Sequence, residues 1–173
     1  VAALLLWLPQ NCIHEGAHAV PARLSGLGID KFWPLPSFKG LAWTKENFRF
    51  AYVDYADGVS LTNSKWSICH IMPVMVNIGF CTVCLVVSML SAPLPDWGAG
   101  ILFGFAINNA VDGINNLRQA VGLNDREVMT DHNDVIKWIR RTGRSPAAAT
   151  GYAISGILVL VILVGAIVAV QVV

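Results

Sequence analysis

The chain has 173 residues, a formal net charge of +1 and a mean hydropathy of +0.58; 55% of it is hydrophobic and only 13% is charged. Soluble domains carry roughly 25% charged residues, so this composition excludes a soluble enzyme and a disordered tail. The near-zero net charge also leaves no polycationic footprint for a nucleic acid, which is therefore not an expected partner. What remains is a multi-pass integral membrane protein. Asp, Glu, Lys and Arg are absent from 1–13, 66–95, 97–111 and 145–173, about half of the chain.

A bilayer core of roughly 30 Å takes about 20 helical residues to cross. In chain order, the pattern predicts four transmembrane helices, at about 1–20, 69–90, 97–117 and 151–173, in a single membrane domain covering 1–173. Pro21 is expected to end the first span, because a proline removes a helix hydrogen bond. No charged segment precedes the apolar start at Val1, so a signal peptide is not expected, and an upstream span is allowed for. The third span is purely apolar only to Ile107 and must continue through polar residues to cross. The fold class expected is an all-α membrane protein. Two additions decorate it: a small cytoplasmic β element between helices one and two, and an interfacial amphipathic helix before helix four.

Eleven of the twelve Lys and Arg residues fall in two loops, 28–67 and 118–150; the twelfth is Arg23. Spans two and three form a hairpin through the uncharged start of the 91–96 turn, so both loops lie on one side. The positive-inside rule makes that side cytoplasmic, and the location expected is a bacterial inner membrane.

His14-Glu15-Gly16-Ala17-His18 fits His-Glu-x-x-His. Positions i and i+4 share a helix face, so both imidazoles reach one metal, and Glu15 is placed to polarise a water there. The bland reading, two core histidines beside a buried Glu, is weakened by the high cost of ionisable groups within a span. A catalytic zinc wants three protein ligands and an open position. Asp112 is a candidate third. It stands about 15 residues, roughly 22 Å, into its helix, while His14 is about 13 residues, roughly 20 Å, into its own. Both helices run inward, so the two residues share a depth. Asn108, Asp112, Asn115 and Gln119 recur at helical spacing, with Asn109 and Asn116 beside them. Such a stripe lines a cavity or glues helices together.

On these residues the chain resembles the site-2 protease family of intramembrane zinc metalloproteases. The resemblance rests on the His-Glu-x-x-His helix, on Val111-Asp112-Gly113, which is similar to the family's Leu-Asp-Gly, and on the order of elements over about 1–120. It implies zinc held by His14, His18 and Asp112, Glu15 as general base, and a strand-like clamp for substrate after the first helix. There are departures. Phe103–Ala110 lacks the prolines common before Leu-Asp-Gly. Pro73 and Asn77 stand one residue further apart than in Gly-Pro-x-x-Asn, with Met72 in the glycine's place. A one-residue shift turns a helical position by about 100°, which argues against a substrate-unwinding role for Asn77. The pattern implies a minimal or divergent member.

Other features have two readings each. Phe48–Tyr55 reads as a strand with Ile29–Trp33 as partner, either capping the membrane face or receiving a substrate strand. His70 is either an outer donor to the cavity or an interfacial residue. Cys81 and Cys84 form a Cys-x-x-Cys that reads as packing rather than a redox pair. Residues 131–143 read as an amphipathic helix capped by Asp131 and stopped by Gly143. It would lie on the cytoplasmic leaflet with its arginines toward anionic headgroups and His132 toward solvent. Asp125–Asp134 lacks the glycine and closing Glu of a calcium loop.

The function expected is a membrane-embedded zinc metallopeptidase cleaving membrane-anchored protein or peptide substrates near the cytoplasmic face. The alternative is a catalytically silent, peptidase-like subunit of a larger membrane complex. A metal or ion transporter using Asp112 ranks third.

Overall fold

The computed structural model describes residues 6–35, 37–38, 48–49, 51–56, 61–91, 94–121 and 134–172, with the backbone alone at 37, 38, 48, 49 and 172. The expectations for Asp131, His132 and the stretch before Asp134 lie outside these residues. The chain is mostly helical: α1 (Trp7–Leu24), α2 (Asn63–Ser91), α3 (Asp96–Arg118), α4 (Asp134–Thr142) and α5 (Pro146–Val172). Among the described residues four short strands lie between α1 and α2: β1 (Ile29–Trp33), β2 (Ser37–Phe38), β3 (Phe48–Arg49) and β4 (Tyr52–Tyr55). Among the described residues two helices, α2 and α5, are long and apolar enough to cross a membrane.

α1 runs through Pro21 rather than stopping at it, which corrects the expected boundary. Only the final turn comes after the proline, and a strong terminus holds that turn. Gly26 takes φ +89°, Gly26 N donates to Arg23 O, and Leu27 N donates to Ala22 O. This is the Schellman arrangement, which needs a residue free to adopt positive φ. Its accompanying apolar contact is Ala22 against Leu27, both buried with Cys69 and flanked by Tyr55 and Trp66.

The expected single strand at 48–55 is two short ones. β4 pairs antiparallel with β1, and β3 pairs antiparallel with β2. The ribbon is anchored at its base, where Ala56 N donates to Gly28 O. A Cβ on Gly28 would come within 2.8 Å of Ala56 Cβ, so this approach requires glycine. Phe32 and Trp33 are exposed on β1.

α2, α3 and α5 form the main body, and small residues let them pack closely. A Cβ on Gly113 would lie 2.7 Å from Leu160 Cδ1, and one on Gly156 would lie 2.8 Å from Leu117 Cδ1. α1 lies chiefly against α2. Outward faces are apolar: Ile154, Leu158, Val161 and Ile162 on α5, and Met75, Val83, Val86 and Met89 on α2, are all exposed. An apolar surface this large marks contact with lipid or protein.

α4 is amphipathic, as its sequence predicts, and Gly143 stands just beyond it at φ +62°. Its apolar face is buried against protein, which corrects the expectation that this face rests on the leaflet. Val135, Ile136 and Ile139 are at most 3% exposed, and Val135 and Ile139 join the core formed with α2, α3 and α5. Protein burial satisfies the apolar stripe, so only its basic edge stays outside. At that edge Arg144 Nη1 donates to Tyr152 OH at 2.6 Å, and Trp138 packs edge-to-face on Tyr152. α4 is thereby tied to the first turns of α5.

Candidate metal centre

His14 and His18 occupy one face of α1, with ring centroids 5.2 Å apart. Each ring is held by its Nδ1 atom. His18 Nδ1 is 2.8 Å from the backbone carbonyl of Cys69. A carbonyl oxygen only accepts, so this nitrogen carries the proton. That carbonyl is free because the residue four positions on is Pro73, which has no N–H to return to it. A proline inside α2 thus exposes a backbone acceptor at the depth of the histidine pair.

His14 Nδ1 lies 2.6 Å from Asp112 Oδ2. The same oxygen accepts from Asn77 Nδ2 at 2.8 Å, and Asn77 Oδ1 accepts from Gln10 Nε2 at 2.8 Å. Asn77 is fully buried. The glycine after Asp112 permits this closeness: a Cβ on Gly113 would lie 3.4 Å from Asn77 Cβ. The Asp-Gly pair therefore supplies both a carboxylate and the space to deliver it.

With both Nδ1 protons committed, the Nε2 atoms are left. Both face one carboxylate oxygen, Asp134 Oδ2, at 3.5 Å from His14 and 3.1 Å from His18. Two imidazole lone pairs and a carboxylate oxygen repel unless protons or a cation lie between them. His14, His18 and Asp134 each offer a ligand atom within 4.8 Å of the others and could hold a metal ion. Ligands of a tetrahedral zinc, each about 2.0–2.2 Å from it, stand roughly 3.3–3.6 Å apart. The two nitrogen–oxygen separations lie close to that spacing. Histidines whose far nitrogen donates to a carboxylate or carbonyl are also the usual pattern around bound metal. The donor set fits zinc, and nothing in it identifies zinc over other borderline metals.

Asp134 opens α4. Burial alone would raise its carboxyl; the imidazoles of His14 and His18, when protonated at Nε2, outweigh that and hold it below the ordinary carboxylate range. Lys137 Nζ stands 3.7 Å from its other oxygen, and His70 Nδ1 4.0 Å from it. His70 is buried and stacked on Trp66, and its Nδ1 has no hydrogen-bond partner among the described residues. Glu15, 8% exposed, lies among the charges of His14, His18, Asp134 and Asp112.

The structure thus gathers His14, His18, Glu15, Asp112, Asn77 and His70 into one region. Asn108 is half-buried one turn before Asp112, and Asn115 is exposed outside the group. The buried face of α3 is instead Ala106, Asn109, Ala110, Gly113 and Leu117. Asp112 contacts His14 from the Nδ1 side, and the third atom beside both Nε2 positions belongs to Asp134. Sequence reasoning missed Asp134, Gln10 and the Cys69 carbonyl. The last was signalled by Pro73. Asp134 was signalled only by an acid abutting the apolar Val135-Ile136 pair. Cys81 and Cys84 are free and buried, and Cys81 Sγ donates to Ala106 O at 3.5 Å, as expected of packing residues.

Comparison with protein-family models, curated proteins and solved structures gives no match for this chain.

Proposed function

We propose that the chain is a membrane-embedded zinc metallopeptidase that cuts membrane-anchored protein substrates near the cytoplasmic face. The observation that carries this reading is the convergence of two oriented Nε2 atoms and a carboxylate oxygen beside a buried Glu15. His14 and His18 would hold the metal, with the Cys69 carbonyl and Asp112 fixing their rings. The resemblance implies Asp112 as third ligand; the geometry favours Asp134 in that place and gives Asp112 the orienting role. Zinc bound there would act as a Lewis acid toward the substrate carbonyl and lower the pKa of water in its open position. Glu15 accepts a proton from the attacking water and returns it to the leaving amine. The β1–β4 ribbon, two-stranded among the described residues, offers an edge for an extended substrate.

In this reading α1 and α3 also cross the membrane, with Gln10 and Asp112 hydrogen-bonded to Asn77 of α2. Both basic loops then lie on the cytoplasmic side of a bacterial inner membrane.

Two measurements test it. Purified protein carrying zinc should cleave a membrane-anchored substrate, and Glu15→Gln should not; cleavage that persists overturns the mechanism. Metal content of Asp134→Asn and Asp112→Asn, measured side by side, assigns the third ligand. A larger loss in Asp112→Asn restores the ligand set that the resemblance implies.

A second reading, a silent subunit of a larger membrane complex, is favoured by one observation. Asn115 and Gln119 are exposed on α3, where lipid would be a poor neighbour and a partner helix a good one. Co-purification at fixed stoichiometry without cleavage would establish it.

A further inference from the structure

Beside the metal centre, and sharing His70 and Lys137 with its rim, lies a cleft of about 590 Å³. Its floor is the first two turns of α2, where Asn63, Trp66 and His70 share a face, and Tyr55 of β4 closes one side. The opposite wall is the basic edge of α4: Lys137, Arg140 and Arg141. Among the described residues no carboxylate lines it. Every polar side chain there includes a donor, and three of them are cationic. Burial pushes the Tyr55 phenol up, so it stays a neutral O–H donor.

The cationic wall is built rather than loose. Arg141 Nη1 donates to Asn63 Oδ1 at 3.2 Å, and its guanidinium stands over the Trp66 ring at 5.8 Å. Trp66 is in turn stacked on His70 and edge-on to Tyr55. An arginine braced on an aromatic face keeps its remaining N–H groups aimed, which suits it to phosphate oxygens. The volume exceeds that of a bare anion and falls within the range of small-molecule sites.

The position selects the ligand's source. Asn63 begins one helix able to cross a membrane and Tyr152 lies near the start of another, and α4 touches both, through Arg141 on Asn63 and Trp138 on Tyr152. The opposite end of the bundle, from 78 to 91, from 94 to 108 and from 160 to 172, contains no Lys or Arg. Aromatic and basic residues gather at the headgroup layer.

We propose that this cleft binds the phosphate of an anionic phospholipid headgroup from the leaflet on the basic side of the protein. The inference rests on the membrane-embedded half of the reading above and is independent of peptidase activity. Resistance of the full chain to carbonate extraction checks embedding separately.

The test uses the full chain in phosphatidylcholine nanodiscs, titrated with fluorescent phosphatidylglycerol. A basic residue near an anionic surface contributes about 1 kcal/mol, so Arg141→Gln should weaken binding roughly fivefold, with Arg140→Gln acting in the same direction. Arg144→Gln, outside the cleft, should leave it unchanged, and metal content should not move in any of the three. Unchanged lipid affinity in both cleft variants overturns the site. Soluble glycerol phosphate competing as well as the lipid overturns the lipid source, and an acidic peptide binding in the lipid's place overturns the ligand class.

Discussion

The two ends of the helix bundle handle polar atoms differently. At one end Gln171 Nε2 donates to Ser88 Oγ at 2.7 Å, and Gln171 Oε1 accepts from Leu94 N at 3.4 Å. The groups are neutral and close on one another. At the other end Gln10, Asn77 and Asp112 form a relay that ends on His14, while His18 is held by a bare carbonyl. That chain does not close: two imidazoles and Asp134 meet across a gap that needs a proton or a cation. A low-dielectric interior penalises unpaired polar groups heavily. The first end is thus complete as glue, and the second is complete only with a proton or a cation in the gap.

Four substitutions would break or sharpen this contrast. His18→Ala has the largest expected effect: it removes one Nε2, and the purified protein should lose its metal by elemental analysis while remaining folded. Pro73→Ala comes next. It restores an N–H that competes for the Cys69 carbonyl, and loss of such an orienting partner typically costs about 10–100-fold in metal affinity. Competition with a chromophoric chelator would measure it, and unchanged affinity would dissociate Pro73 from the site. Gly113→Ala should destabilise by about 1–3 kcal/mol, because its methyl group meets Leu160 and crowds Asn77. Denaturation in mixed detergent micelles reads the stability, and metal affinity should fall with it. The smallest effect belongs to the neutral end: Ser88→Ala should cost about 0.6 kcal/mol and leave metal affinity unchanged.

Much of this was legible in the sequence, to different depths. The helix positions came from runs of apolar residues, because crossing or packing a long helix demands them. The histidine pair and Glu15 came from i, i+4 spacing, a local property of one helix. Asp112 and Asn77 were visible as polar residues in apolar helices, but which atom each would touch was not. Asp134 was hidden for a physical reason. It reaches the histidines across 116 residues of sequence distance, and its position depends on how α4 docks. The apolar face of α4 reads the same whether it meets lipid or protein, so periodicity alone placed it in the leaflet. Pro21 misled because a proline one turn from a helix end is tolerated when that end is well made, and Gly26 with the Ala22–Leu27 contact makes it so.

The tie between α4 and α5 has a consequence for where a substrate would be cut. Trp138 stands one helical turn from Asp134 and packs on Tyr152. Aromatic rings of this kind settle at the boundary between headgroups and acyl chains. Bilayers of different thickness are met by tilting or local deformation along the spans, and in the membrane-embedded reading the aromatic pair would stay with the boundary through such changes. Under the peptidase reading, the protein would measure its cut from the membrane surface rather than from the bilayer midplane. The distance between cut and headgroups would then hold constant as lipid chain length varies.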